Sequence, residues 1–434
     1  MKHHYHLILQ SSEVKLEVLL RNQVKDLQSV DYGSIRSVQS DMSDPTYTIF
    51  CLKDPVCLYY NEDSRYFGNE KIRECIFLIL DYLDRIQRAD GTFDGISTNF
   101  YSAPETGFGM HILVWCYRIV EMYGRDEGKT QLVERLYKLI QRSGEGIAQG
   151  GFHTPNHRWV EASALLQAYN ITGIEGFKTA ADSYLAEGID CSPYGEYAEK
   201  SAGIYNATNN NSFIVMAEET GESCYHEYVR RNLDMMFLYN EPDGSIFTMN
   251  SRRQDGGVIQ KYYPTAYYPS YLYMSYIYGD GRYAVMTNKI MAAAEEGKAS
   301  MPDCLQLYML KPGLKNFTLE EIQPPSRFEQ LFEQSGIVRV GRDSYTFTLM
   351  KNNSSFLVFQ TEKIRCRLKM CASFFAVAQF KVQDIIFEDG SYFMKFKTFG
   401  YYRLPFENQI LNDNYWETDY NCALWQKQLN CPCV

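Results

Sequence analysis

No stretch of the sequence approaches the roughly 18 uninterrupted apolar residues that a membrane-spanning helix requires, so a soluble protein without a membrane partner is expected. Basic charge is also scarce. Lys and Arg number 43 against 53 Asp and Glu, and the net charge of −10 argues against a nucleic-acid partner, because neutralising phosphates needs a clustered basic face. Local basic clusters can still hold an acidic substrate. The opening MKHHYHLILQSSEVKLEVLL has only a short apolar patch, broken by Gln10, and makes a poor secretory signal. The expectation is therefore a cytoplasmic chain, or one whose export signal lies outside this sequence. The 12 cysteines follow no repeated spacing, which excludes a disulfide framework and reads as reduced, buried thiols. Cys431 and Cys433 have no second Cys/His cluster near them, so neither a metal site nor a cofactor is expected.

What is present is globular: 45% hydrophobic and 22% charged residues, in a chain of 434 that is too long for one ordinary core. Length alone favours two domains or one solenoid-like array. Tyrosine (35) and phenylalanine (25) are abundant, and KYYPTAYYPSYLYMSYIYG, from Lys261 to Gly279, concentrates them. Rings with polar tips serve sugar-binding clefts, and they also fill cores.

From about Asn69 to Lys298, apolar residues recur at helical spacing between short breaks rich in Gly, Asp, Asn and Pro. Ile72, Ile76, Leu80 and Leu83 form one stripe; Phe108, Ile112, Trp115, Ile119 and Met122 form the next; Leu132, Leu136 and Ile140 mark another. Further helices are expected over Val160–Tyr169, Phe177–Leu185, Ile204–Met216, Tyr225–Leu238, Ala266–Ile277 and Tyr283–Ala293. Loops such as RADGTFDG, NITGIEG and NEPDGS separate them, as in stacked helical hairpins. After the Pro324-Pro325 pair the period changes to two, in SGIVRVGR, SYTFTLMKN, SSFLVFQTE and SYFMKFKTFGYYRL. The expected organisation is a helical domain over 1–325 and an antiparallel β-sheet domain over 326–434, with strands from about Ser335. The last dozen residues lose the alternation, so a truncated or frameshifted end is expected.

Three segments carry candidate chemistry: TPNHRW with Asn156, His157, Arg158 and Trp159; PYGEYAEKSAGIYNATNN with Tyr194, Tyr197, Glu199 and Tyr205; and TMNSRRQDGG with Asn250, Arg252, Arg253, Gln254 and Asp255. Eliminative cleavage of a uronic-acid polymer needs such a set. The proton next to the carboxylate is barely acidic, so donors must neutralise the carboxylate as negative charge develops, and Asn156 and Arg158 suit that role. A base at the α-carbon and an acid at the leaving oxygen complete it, and a neutral histidine and a tyrosine beside cations can supply both. Arg252 and Arg253 make a ready carboxylate fork.

The NHRW segment, the E-x-S-x-x-x-Y of EKSAGIYN and the SRRQD loop resemble heparinase II/III-type polysaccharide lyases, over roughly Asp94 to Phe406. The resemblance implies an incomplete (α/α) toroid followed by antiparallel sheets, in which an asparagine, often with a histidine, contacts the substrate carboxylate and a later tyrosine transfers the proton. It places those catalytic roles on Asn156, His157 and Tyr205. Arg158, Arg252, Arg253, Gln254 and Glu199 are then expected to bind an acidic oligo- or polysaccharide, with Trp159, Tyr262 and Tyr263 as sugar platforms. Relatives often place a further histidine, and sometimes zinc, in the β-domain. No histidine follows His226 here, so a second one must come from His153 or His111.

Other readings stand beside this one. Pro155-Asn156 can be a plain helix start, although cations in a first helical turn oppose the helix dipole. Inverting glycosidases and unsaturated-uronyl hydrolases also use helical toroids and need two carboxylates, for which Asp94, Glu105, Asp190, Glu199 and Asp243 are candidates. A non-catalytic glycan-binding protein is the third.

Overall fold

The computed structural model describes every residue except 97–98, 258–263, 375–376, 404–424 and 434. Among the described residues, twelve α-helices are α1 (Lys2–Asn22), α2 (Pro45–Tyr60), α3 (Glu70–Ile86), α4 (Ala103–Tyr123), α5 (Lys129–Gln149), α6 (Pro155–Thr172), α7 (Glu175–Leu185), α8 (Tyr205–Thr220), α9 (Cys224–Tyr239), α10 (Tyr268–Tyr278), α11 (Gly281–Glu295) and α12 (Leu305–Leu310). The array is longer than the sequence pattern suggested. In α1 the buried Tyr5, Ile8, Leu9, Ser12, Leu16 and Leu19 make a regular helical stripe, so the segment read as a failed leader is part of the core. In α2, 13 of 16 residues are buried, Pro45 opens the helix and Pro55 lies inside it, so no amphipathic period marks it.

The helices alternate in character, and that alternation builds two layers. Helices α3 and α5 bury one stripe each, such as Leu132, Leu136, Leu139, Ile140, Ser143 and Ile147 of α5. By contrast α6 is buried without a break from Arg158 to Ala168. A helix buried on every side needs neighbours on every side. Accordingly α2, α4, α6, α8 and α10 pack in succession, α12 closes against α2 and α4, and α3, α5, α7, α9 and α11 back them. Proline stands in the first turn of α2, α4, α6 and α10. Left-handed glycines close α6, α8 and α10, at Gly173, Gly221 and Gly279 with φ of 72°, 74° and 65°. This pairing of N-terminal proline with C-terminal glycine suits helices that must stop sharply at both ends.

A short hairpin of β1 (Phe93–Gly95) and β2 (Asn99–Ser102) leads into α4. The helical unit comprises Met1–Tyr239 and Ile246–Pro324; a second unit comprises Asn240–Ser245 and Pro325–Val434. In the second unit β3 (Arg327–Phe332), β4 (Ile337–Arg342), β5 (Tyr345–Met350), β6 (Leu357–Thr361) and β7 (Arg365–Leu368) form an antiparallel meander. Its first strand precedes Ser335: RFEQLF alternates, but only Phe332 is fully buried, so its apolar signal is weak. Pairs β8 (Ser373–Phe374) with β9 (Val377–Ala378) follow, then a sheet of β10 (Asp384–Glu388), β11 (Ser391–Arg403) and β12 (Trp425–Cys433). Val338, Val340 and Leu349 centre one core; Phe356, Phe380 and Val382 centre another. Arg339 has no exposed surface, and its Nη1 lies 2.8 Å from Glu241 Oε1 and donates to Thr348 Oγ1 at 2.8 Å. This fixes the 240–245 segment within the second unit. The nine cysteines from Cys51 to Cys371 are free. Among the described residues no helix is long and apolar enough to cross a membrane.

Candidate active site

The three candidate segments meet at the N-terminal ends of α6 and α8. Thr154 is the N-cap of α6 and Pro155 its first residue, which sets Asn156 and His157 in the first turn. Tyr205 is the first residue of α8, and its backbone N–H donates to Ser201 Oγ at 3.2 Å. Asp255 bolts the 251–257 loop to that turn: it accepts from Ser201 Oγ and the Gly203 N–H, each at 2.9 Å. A Cβ at Gly203 would stand 2.8 Å from Asp255 Oδ2, so the close approach requires glycine. The Arg252 N–H completes the join by donating to Glu199 O at 3.0 Å.

The loop delivers Arg253 to the centre of the cluster. Its guanidinium carbon lies 4.7 Å from the Tyr205 ring centroid, and its Nε is 3.3 Å from Glu199 Oε1. The Tyr205 hydroxyl holds the guanidinium's pKa above its usual value; partial burial opposes and the Glu199 charge assists. Asn156 closes the chain of contacts on the other side. With its carboxamide nitrogen assigned towards the available acceptors, it donates to Glu199 Oε1 at 3.2 Å and Oε2 at 3.0 Å. Burial raises the Glu199 carboxyl's pKa, while Arg253 and Asn156 pull it back and the charges of Asp190 and Asp255 add to the rise. His157 is pushed down to about 4, first by burial and then by the charges of His153 and Arg253, so its imidazole is neutral at neutral pH. Its Nδ1 is buried without a hydrogen-bond partner, and Phe108 and His153 meet its ring edge-on at 6.0 and 6.1 Å.

Several expected roles need correction. Trp159 has no exposed surface and packs against Phe213 at 5.3 Å, so it cannot be a sugar platform. Arg158 is buried, with Nη1 2.5 Å from Glu187 Oε2, Nη2 donating to Gly188 O at 3.1 Å and the guanidinium 4.0 Å over Trp159. Its charge is paired with Glu187, whose side chain is at the surface, and not offered to a ligand. Asn156 is wholly buried behind Glu199, which is itself only 5% exposed, so neither presents a surface to substrate directly. Tyr197 is a core residue donating to Asn210 Oδ1 at 2.9 Å. Arg252 and Gln254 are exposed on the loop, and Tyr205, His157 and Arg253 are half-buried. Tyr262 and Tyr263 lie outside the described residues.

Three features went unread in the sequence. Lys200, in the x position of E-x-S, adopts φ of 54°, a left-handed conformation that side chains other than glycine avoid. Burial lowers its pKa, the Glu196 charge opposes that and the Arg252 charge adds to it, so Lys200 and Arg252 lie within electrostatic reach of one another. Glu161, one turn beyond His157, is fully buried. Phe100 and Tyr101 stand exposed on β2, where α4 begins. Of the other carboxylates considered, Asp94 is held by Arg88, and Asp243 belongs to the second unit. Among the described residues no cluster of three or more His, Cys, Asp or Glu side chains is arranged to hold a metal.

Solved structures share this architecture. A Paenibacillus xanthan lyase superposes with a TM-score of 0.55 and 11% identity, covering 81% of this chain and 35% of its own. A Streptomyces coelicolor chondroitin AC lyase superposes with a TM-score of 0.53 and 11% identity, covering 82% of this chain and 54% of its own. The chain shares the fold of these two lyases. That fold is the helical toroid followed by antiparallel sheets which the sequence resemblance implied, and the chain spans about a third of the one lyase and about half of the other. Heparinase III is also similar, at 12% identity and a TM-score of 0.48 over 72% of this chain and 48% of its own. No family model and no curated protein matches the sequence.

Proposed function

We propose that this chain cleaves a uronic-acid-containing glycan by β-elimination. The observation that carries the reading is the Arg253 guanidinium, held over Tyr205 by Glu199 with neutral His157 in its field. Arg253, Arg252 and Lys200 receive the uronate carboxylate and stabilise the negative charge that builds on it as the α-proton leaves. Neutral His157 takes that proton. The C–H electron pair becomes the new carbon–carbon double bond, the bond to the glycosidic oxygen breaks, and the Tyr205 hydroxyl protonates that oxygen. One fragment ends in a double bond conjugated to its carboxylate, the other in a free hydroxyl. Arg253 stabilises the transient tyrosinate, and proton exchange with solvent resets both groups. Asn156 and Glu199 act as positioning residues, the first fixing the Glu199 carboxylate and the second fixing Arg253. The acidic substrate class accords with these basic side chains and with the chondroitin sulphate bound by the Streptomyces lyase.

The test is to incubate the protein with a panel of uronate polymers and follow ultraviolet absorbance of the conjugated double bond. Elimination produces one chromophore per cut. New reducing ends without absorbance would instead support hydrolysis, a reading favoured by one observation: Asp190 lies near enough for its charge to raise the Glu199 pKa, as in a carboxylate pair.

A further inference from the structure

The helical unit holds a pocket of about 350 Å³, open to solvent where the exposed Phe50, Asn211 and Asp303 line it, that the proposed elimination does not use. The volume lies within the range of small-molecule sites, roughly 300–1,000 Å³. Helices α2, α4, α6, α8, α10 and the segment around α12 all contribute to its wall. Val160, three residues beyond His157, and Phe108, whose ring meets His157, also line it, so it adjoins the candidate active site from within.

Its wall combines two kinds of surface. Phe50, Phe108, Trp115 and Tyr273 supply aromatic faces, while Thr208, Asn211, Ser212 and Gln306 supply neutral hydrogen-bonding groups. On α8, Thr208, Asn211 and Ser212 contribute the polar part of the wall, while Asn210 faces the core, accepting from Tyr197 and donating to Asn232. The Gln306 Oε1 is buried without a partner, and rotation of its amide about the last side-chain bond exchanges the groups facing wall and cavity.

The charges at the wall are already balanced. Lys53 lies 2.6 Å from Asp303, and Lys311 lies 2.5 Å from Glu218. His111 is engaged with Gln167 at 2.8 Å and Ser163 at 3.2 Å, and burial pushes its pKa down to about 4, so it too is neutral. A carboxylate entering this space would have to compete with Asp303 and Glu218 for the two lysines of the wall. Aromatic faces with neutral donors and acceptors suit a ring that has apolar faces and hydroxyl edges.

We infer that the cavity inside the helical ring is a binding site for an uncharged pyranose, separate from the residues that would act on a uronate. This inference does not depend on the lyase reading. Calorimetric titration of the full chain with methyl glucoside, cellobiose, glucuronate and cyclohexanol tests it. The expected result is saturable one-site binding of the neutral sugars, with glucuronate at least about tenfold weaker. Asn211→Leu removes a hydrogen-bonding group and is expected to weaken sugar binding about tenfold, and Trp115→Leu to do the same, while Tyr205→Phe leaves it unchanged. Far-ultraviolet circular dichroism checks folding. If both cavity variants unfold, saturable change of tryptophan fluorescence in the unmodified protein and in Tyr205→Phe serves instead. Binding of cyclohexanol but not of sugars, equal affinity for glucuronate, or loss of sugar binding in Tyr205→Phe overturns the inference.

Discussion

Replacing Glu161 by glutamine should stabilise the protein, and by an amount that grows with pH. Glu161 has no exposed surface, and both its carboxyl oxygens are buried without a hydrogen-bond partner. It packs against α4 where Gly107 leaves room: a Cβ there would lie 3.5 Å from Glu161 Cγ. Burial raises its pKa from 4.5 to about 7; the Tyr184 hydroxyl eases the rise, yet donates at 3.2 Å to Gly150 O. The folded protein therefore keeps a proton that the unfolded chain loses between pH 4.5 and about 7. Because the folded pKa is the higher one, stability from this group falls as pH rises through that window and stays lost above it. At about 1.4 kcal/mol per pH unit, the interval corresponds to about 3 kcal/mol. Glutamine keeps the shape and cannot ionise, so Glu161→Gln should gain about 1 kcal/mol at pH 5 and about 3 kcal/mol at pH 8. Urea unfolding of both proteins at the two pH values, with unchanged denaturant slopes, measures the difference. A gain that is equal at pH 5 and pH 8, or a loss at pH 8, would refute the reasoning.

Four further outcomes are expected. Tyr205→Phe should lower turnover by a factor on the order of 10², with the circular dichroism spectrum unchanged, because only the hydroxyl is removed. Glu199→Gln should keep measurable elimination, since the glutamine still contacts Asn156; complete loss of activity with folding intact would move the assignment to a hydrolase. With His157 as base and its pKa near 4, kcat/KM should fall only as pH drops towards 4, and a fall centred near 6.5 would show the imidazole to be solvated and not buried. Arg339→Met should destabilise the second unit by about 3–5 kcal/mol, because Glu241 is left buried with its charge uncompensated and only the Thr346 hydroxyl donating to it, and the double variant Arg339→Met, Glu241→Gln should recover most of that in denaturant unfolding.

The order of helices before strands is a property of the sequence itself, because hydrophobic period changes from helical to alternating on either side of Pro324-Pro325. Helices α3 and α5 are legible for the same reason: one face of each meets solvent, and the stripe records it. So are the three segments that meet around Tyr205, since Asn156-His157, Glu199 and Arg252-Arg253 are unusual residue sets for ordinary loops and first turns. What each of those residues faces was decided by tertiary structure. Arg158 and Trp159 sit on a helix surrounded on all sides, where spacing cannot distinguish the rim from the core, and both are inside. Glu199, read as a substrate contact, spends its carboxylate on Arg253 and Asn156, which are distant in sequence. The proline-bearing α2, the asparagine-rich face of α8 and the buried Glu161 carry no periodic signal either. Periodicity exists only where an element has a wet side and a dry side; inside a double ring of helices there is no wet side, and the packing of neighbours alone determines which groups reach the site, the cavity or the core.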